Sequence, residues 1–181
     1  NPVFSPETGL SAEFAGGAVT EEAKKRFLAT ILSQNQRQKQ LIDKLLALVR
    51  VEKQQHLGAP ERVGAAELLE QVRDDAASRL AARALVLELE ADDSNILCDP
   101  LLLRQALGNL VDNAIDFAPS GSVIRLAARR DGEQLRITVQ DGGAGIPDYA
   151  MPRLFERFYS LPRPDGAKST GLGLPFVREV M

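Results

Sequence analysis

Asn109-Leu-Val-Asp-Asn-Ala-Ile-Asp-Phe-Ala-Pro119 is the stretch on which the reading of this chain turns. It grows out of an apolar-periodic run, Leu101 to Leu110, and sets two amides, Asn109 and Asn113, four residues apart. Helical residues at i and i+4 share a face, so both side chains address the same target. A carboxamide oxygen is a neutral, hard ligand suited to Mg2+ that already carries phosphate oxygens. Taken alone, the two residues suit a solvated helix face equally well. Just upstream, Asp99-Pro100 has the form of a cap followed by proline at the first helical position.

Three later stretches bear on that choice: Asp141-Gly-Gly-Ala-Gly-Ile-Pro147, Leu154-Phe-Glu-Arg-Phe-Tyr159 and Ser169-Thr-Gly-Leu-Gly-Leu174. A carboxylate such as Asp141 only accepts hydrogen bonds. It can take one from adenine's exocyclic amine and would repel guanine's carbonyl oxygen. Gly143 and Gly145 allow positive φ and a close approach of backbone to a flat base; the alternative is a glycine-rich turn after a hairpin strand. Phe117, one turn beyond Asn113, either packs on that base or belongs to the core. Thr170-Gly171-Leu172-Gly173-Leu174 runs as a loop into a helix start, where free N–H groups and the positive dipole end suit phosphate. Arg157, Arg163 and Lys168 flank it and can neutralise phosphate charge; Arg163 and Lys168 fit a solvated loop equally. Phe155 and Phe158 read as anchors tying the loop to the core.

In type, order and spacing these four stretches resemble the N, G1, F and G2 boxes of the ATP-binding domain shared by sensor histidine kinases, gyrase and Hsp90. From about Thr20 to Met181 the chain looks like the transmitter region of a sensor histidine kinase, and Phe155 to Gly166 most resembles the carbon-source-responsive branch. The resemblance implies ATP and Mg2+ as cofactors. Asn113 would hold the metal, Asn109 would support it or polarise the attacking group, and Asp141 would read adenine. Arg157 would meet the phosphates, and residues 159–170 would form the lid.

Composition agrees with such a domain. The 181 residues are 44% hydrophobic and 26% charged, which is ordinary for a globular protein. With 22 basic and 25 acidic residues, the net charge of -3 gives no case for nucleic acid. The absence of tryptophan and an aromatic content of 5% argue against base-stacking platforms. The single cysteine, Cys98, excludes an internal disulfide and reads as a small buried apolar residue. No apolar run approaches the roughly 18 residues of a membrane span, and the first residues lack a signal-peptide pattern. A cytoplasmic fragment is expected, from a parent anchored in the bacterial inner membrane.

Taken in order, residues 1–19 read as a loop or tail. Residues 20–56 carry no glycine or proline, and Phe27, Ile31, Leu41, Leu45 and Leu48 keep helical spacing around a polar middle, Gln34 to Gln40. A helix of about 35 residues is about 50 Å long and needs a partner for its apolar stripe. It is expected to make a homodimer, and its polar middle to receive a response-regulator receiver domain. Leu57-Gly-Ala-Pro60 marks a linker, with His56 solvated beside it. Residues 57–181 then alternate as an ATP-binding α+β domain, a two-layer α/β sandwich with helices on one face of a mixed sheet. Its expected elements are a short extended piece at 61–63 and helices at 65–82 and from Pro100 through Asn113. Strands are expected at 85–89, 95–98, 122–129 and 134–140, and further helices at 150–158 and from about 172–175 onward.

The chain departs from the family in four places. No histidine lies in the phosphoacceptor motif of a preceding helix, so the long helix resembles only the second of the usual hairpin and this chain is not expected to phosphorylate itself. Asp116 stands where the family usually has Lys or Arg. Pro175 follows Gly-Leu-Gly-Leu, tolerable only in a first helical turn. The two closing strands are missing, so the chain is cut, rearranged or a subset of a longer one. The favoured reading is the ATP-binding portion of a two-component sensor histidine kinase, serving relay of phosphate to an aspartate. The alternatives are a non-catalytic nucleotide-binding and dimerisation module, or a gyrase-like ATPase, which would need a glutamate where Asn109 stands.

Overall fold

The computed structural model describes residues 20–53, 60–163 and 169–181. Its packing separates one unit ending at Ile42 from a second spanning Asp43–Met181. Helix α1, Glu21–Glu52, begins in the first. Thr20 caps it by accepting the Ala23 N–H at 3.2 Å, and Glu21 and Glu22 face its positive dipole end. Leu28, Ile31, Leu32, Leu41 and Ile42 are exposed along it. Residues 1–19, His56 and the linker at 57–59 lie outside the described residues. Among those described, no helix is long and apolar enough to cross a membrane.

The second unit takes the last turns of α1 and then β1 (Glu61–Gly64), α2 (Ala65–Ala82), β2 (Val86–Ala91), β3 (Asn95–Cys98) and α3 (Pro100–Phe117). After these come β4 (Val123–Asp131), β5 (Gln134–Gln140) and α4 (Gly173–Val180). Three strands form the main sheet in the order β2-β4-β5, while β1 and β3 make a separate antiparallel ribbon. β2 and β4 run parallel, with Leu87 opposite Ile124 and Leu89 opposite Leu126. β4 and β5 are antiparallel, and Gly132 enters their two-residue turn at φ 61, a value glycine adopts without strain. α2 packs on β2 and β4, and α3 on β4 and β5, which gives the expected sandwich with a mixed sheet.

Alternation on β4 decides which face the helices cover: Ile124, Leu126 and Ala128 are buried while Arg125 and Arg129 are exposed. Against that face lie Leu68, Leu69, Val72 and Leu80 of α2 and Leu103, Leu107, Val111 and Ile115 of α3. Each such side chain contributes about 1.5–3 kcal/mol by leaving water. A smaller cluster joins Ala47 and Leu48 of α1 to Leu102 and Ala106 of α3 and to Leu172, Phe176 and Val177. Helix α3 therefore has apolar neighbours on two sides, the sheet on one and α4 with the α1 tail on the other.

Two expectations need correction. Residues 150–158 form a single 3-10 turn, Met151–Arg153, rather than a helix. Pro152 brings no N–H to a helical ladder, and Phe158 sits at φ 64, which no right-handed helix accommodates. Phe155 and Phe158 do not reach the core either, being 41% and 64% exposed. Cys98 is half-buried and packs at the edge of the core, where burial pushes its thiol pKa up.

Candidate functional site

The site begins with how α3 is held. Asp99 Oδ1 accepts the N–H groups of Leu101 at 3.0 Å and Leu102 at 3.2 Å, closing the N-terminus as its type predicts. Arg104 forks both oxygens of Asp75 on α2 at 2.6 Å, and Arg79 of α2 pairs with Asp112. These ties join α2 to α3 on their outer side, while the buried apolar face of α3 sets its rotation and with it the direction of its two asparagines. Asn109 is buried beneath the first residue of α4, where a Cβ on Gly173 would lie 3.6 Å from Asn109 Oδ1. Asn113, one turn on, lines a cavity of about 290 Å3.

That cavity gathers the motifs. Asn113 and Phe117 come to it from α3, Asp141 and Gly145 from the turn after β5, and Gly171 and Gly173 from the entry to α4. Its remaining wall is largely apolar and includes Leu110, Ala114, Ile146, Leu154, Leu161 and Pro175. The sequence reading did not single these out as site residues; their position beside or inside the four motifs was the available signal. Asp141 Oδ1 accepts the Gly143 N–H at 2.7 Å. Gly143 must be glycine because a Cβ there would stand 2.8 Å from the carbonyl oxygen of Phe117. The turn is thus seated directly on the end of α3. At the other side, Gly171 (φ 64) allows its backbone to lie against Phe158, and the Phe158 N–H donates to the Gly171 carbonyl at 2.9 Å. Pro175 falls in the first turn of α4, where its missing N–H does no harm.

Charges are arranged less simply. Arg163 lines the cavity and pairs with Asp116, while its Nε is buried without a hydrogen-bond partner. Asp116, acidic where the resembled family is basic, so recruits a cation from elsewhere in the chain. Arg157 does not line the cavity; it pairs with Glu52 in the last turn of α1. Lys44 lies near the same group of charges. Burial, and then the positive charges of Arg163 and Arg79, hold its pKa below the ordinary 10.5 against the opposing pull of Asp116. Gly143, Thr170 and Leu172 do not line the cavity, and Lys168 lies outside the described residues.

An apolar slot with one carboxylate, glycine-bounded edges and an arginine, Arg163, in its wall fits a flat heterocycle bearing an anionic tail. Its volume is near the lower end for ligand pockets. Among the described residues no three His, Cys, Asp or Glu side chains converge to hold a metal. A cation here would need most of its ligands from phosphate and water, with Asn113 as the side chain offered, a donor set that suits Mg2+.

Comparison with known proteins gives a consistent result. Residues 98–181 match the family model described as histidine kinase-, DNA gyrase B- and HSP90-like ATPase. The chain is 44% identical over 170 residues to the sensor protein CreC of Escherichia coli strain K12, covering 94% of this chain and 36% of that protein. It therefore spans about a third of that relative's length. The histidine kinase AdeS of Acinetobacter baumannii has a similar structure, with TM-score 0.70 and 26% identity over 94% of this chain and 80% of that one. Full-length ShkA, solved in complex with AMPPNP, gives TM-score 0.71 at 26% identity over 91% of this chain and 34% of the other.

Proposed function

Because the chain belongs to the sensor histidine kinases within the histidine kinase-, DNA gyrase B- and HSP90-like ATPases, we propose that its cavity binds Mg2+–ATP for phosphorylation of a histidine. One observation carries this: residues from four separated motifs, Asn113, Asp141, Gly145, Gly171 and Gly173 among them, line one cavity. Asp141 is the base-reading group, oriented by the Gly143 N–H, with Phe117 and Gly145 lining the same slot. The backbone of Gly171, Leu172 and Gly173, at the positive end of α4, takes phosphate oxygens, with Thr170 beside them. Asn113 would complete the shell of a Mg2+ ion that neutralises the triphosphate when bound. Asn109, buried beneath Gly173 one turn before Asn113, would support that shell or polarise the attacking group. Arg157 would meet the phosphates only by leaving Glu52, and Lys168 would add positive charge to them.

Phosphoryl transfer asks a protein mainly for positioning and charge neutralisation, and these residues supply both. The histidine acceptor, a homodimer through the exposed stripe of α1, and relay to a response-regulator receiver domain belong to the same proposal. So does the division into a dimerisation helix at 20–56 and a catalytic domain at 57–181. A parent protein anchored in a membrane belongs to the proposal too, supported by the kinship with sensor proteins.

Calorimetric titration of Mg2+–ADP into the chain and into Asp141→Asn tests the reading. Asparagine can keep the bond to Gly143 with its carbonyl oxygen but must then present an NH2 group to the base's own donor. The expected loss of affinity is at least about tenfold. An unchanged affinity in a folded Asp141→Asn would remove Asp141 from the base site, and no binding to the folded parent would end the nucleotide reading.

A further inference from the structure

Arg83, at the end of α2, lies outside residues 98–181 and belongs to none of the four motifs. Its guanidinium nevertheless reaches the far end of α3. Nη1 donates to the carbonyl oxygens of Ile115 at 2.6 Å and Asp116 at 2.9 Å, and Nη2 to that of Ala118 at 3.1 Å. Carbonyls at a helix C-terminus lack intrahelical partners, and a cation there also meets the negative dipole end. The clasp is returned: the carbonyl of Arg83 accepts Ser120 Oγ at 2.9 Å and the Gly121 N–H at 3.2 Å.

The three carbonyls bracket Phe117, which lines the cavity, and the Phe117 carbonyl is the atom on which Gly143 is seated. We infer that Arg83 is a positioning residue for the base-binding wall. By satisfying the last turn of α3 it fixes Phe117 and gives the Asp141–Gly145 turn a rigid seat. The inference rests on the nucleotide reading of the cavity. Lysine cannot replace it fully, since one ammonium group does not reproduce a planar fork spanning residues 115 to 118.

The experiment is Mg2+–ADP titration and thermal unfolding of the parent, Arg83→Ala, Arg83→Lys and Arg104→Ala. The last removes a different α2–α3 tie, to Asp75, away from the cavity. Arg83→Ala is expected to weaken ADP about tenfold and Arg83→Lys about threefold. Arg104→Ala should lower the unfolding temperature similarly but keep affinity within about twofold of the parent. Equal affinity in parent and Arg83→Ala overturns the inference, as does a loss of affinity in Arg104→Ala that matches its loss of stability. If Arg83→Ala does not fold, Arg83→Lys decides: affinity equal to the parent's overturns the inference. A parent that does not bind ADP overturns the nucleotide reading itself, a result distinct from the others, and the inference with it.

Discussion

Gly171 and Gly108 show how differently one residue type acts at two positions. At Gly171 a Cβ would stand 2.5 Å from the carbonyl carbon of Phe158, and the backbone is already at φ 64. Nothing there can yield, because the obstacle is backbone. Gly171→Ala is expected to destabilise by about 2–4 kcal/mol in urea unfolding and to abolish ADP binding by parting Phe158 from the loop. At Gly108, inside α3, a Cβ would meet nothing within 4 Å. Gly108→Ala should therefore stabilise by about 0.5–1 kcal/mol, read in the same unfolding experiment, through the restricted unfolded chain. Both glycines are visible in the sequence, but only the fold shows which is obligatory. Asp116 is a similar case. Its unusual charge could be noticed at once, whereas its partner Arg163 could not, since nothing local joins them.

Among the elements, α3 was the most legible. Its cap, its proline at the first position and its apolar period predicted the helix from Pro100 through Asn113, one turn short of its end at Phe117, and Asp99→Ala should cost about 1 kcal/mol in unfolding free energy. The segment after Asp141 was the least legible. Its apolar residues mimic a short helix, yet Pro152 and the left-handed Phe158 break the ladder and leave both phenylalanines at the surface. The last turns of α1 carry a role that periodicity could not assign, because the same stripe serves exposed positions earlier in the helix. Leu48 is 1% exposed against α3 and α4, and Leu48→Ala should cost about 2–5 kcal/mol. Lys44 adds a pH signature. Its folded pKa lies below that of the unfolded chain, so the unfolded state binds the proton more readily and stability rises as pH climbs toward 10.5. Urea unfolding across alkaline pH should show that rise in the parent and lose it in Lys44→Met.

For the molecule as a whole, the only histidine is His56, outside any phosphoacceptor motif. The chain incubated with Mg2+–ATP is expected to gain no acid-labile phosphate, while a histidine-bearing helix added in trans becomes labelled; label on the chain itself would contradict the assignment of roles. The sequence by itself determined the sandwich, the order of its strands and of its longer helices, the two asparagines on one helical face and the glycine turns around Asp141 and Gly171. Each of these is set by neighbours within a turn or a hairpin: caps, periods of 3.6 and 2, and residues able to take positive φ. Only the tertiary structure decided that Asn113 faces the cavity while Asn109 is covered by α4, and that Arg157 pairs with Glu52, 105 residues away. It also gave Arg83 its three carbonyls on α3, 32 to 35 residues distant. A long cationic side chain has many acceptors within its reach, and its partner is chosen by which elements the apolar core presses together.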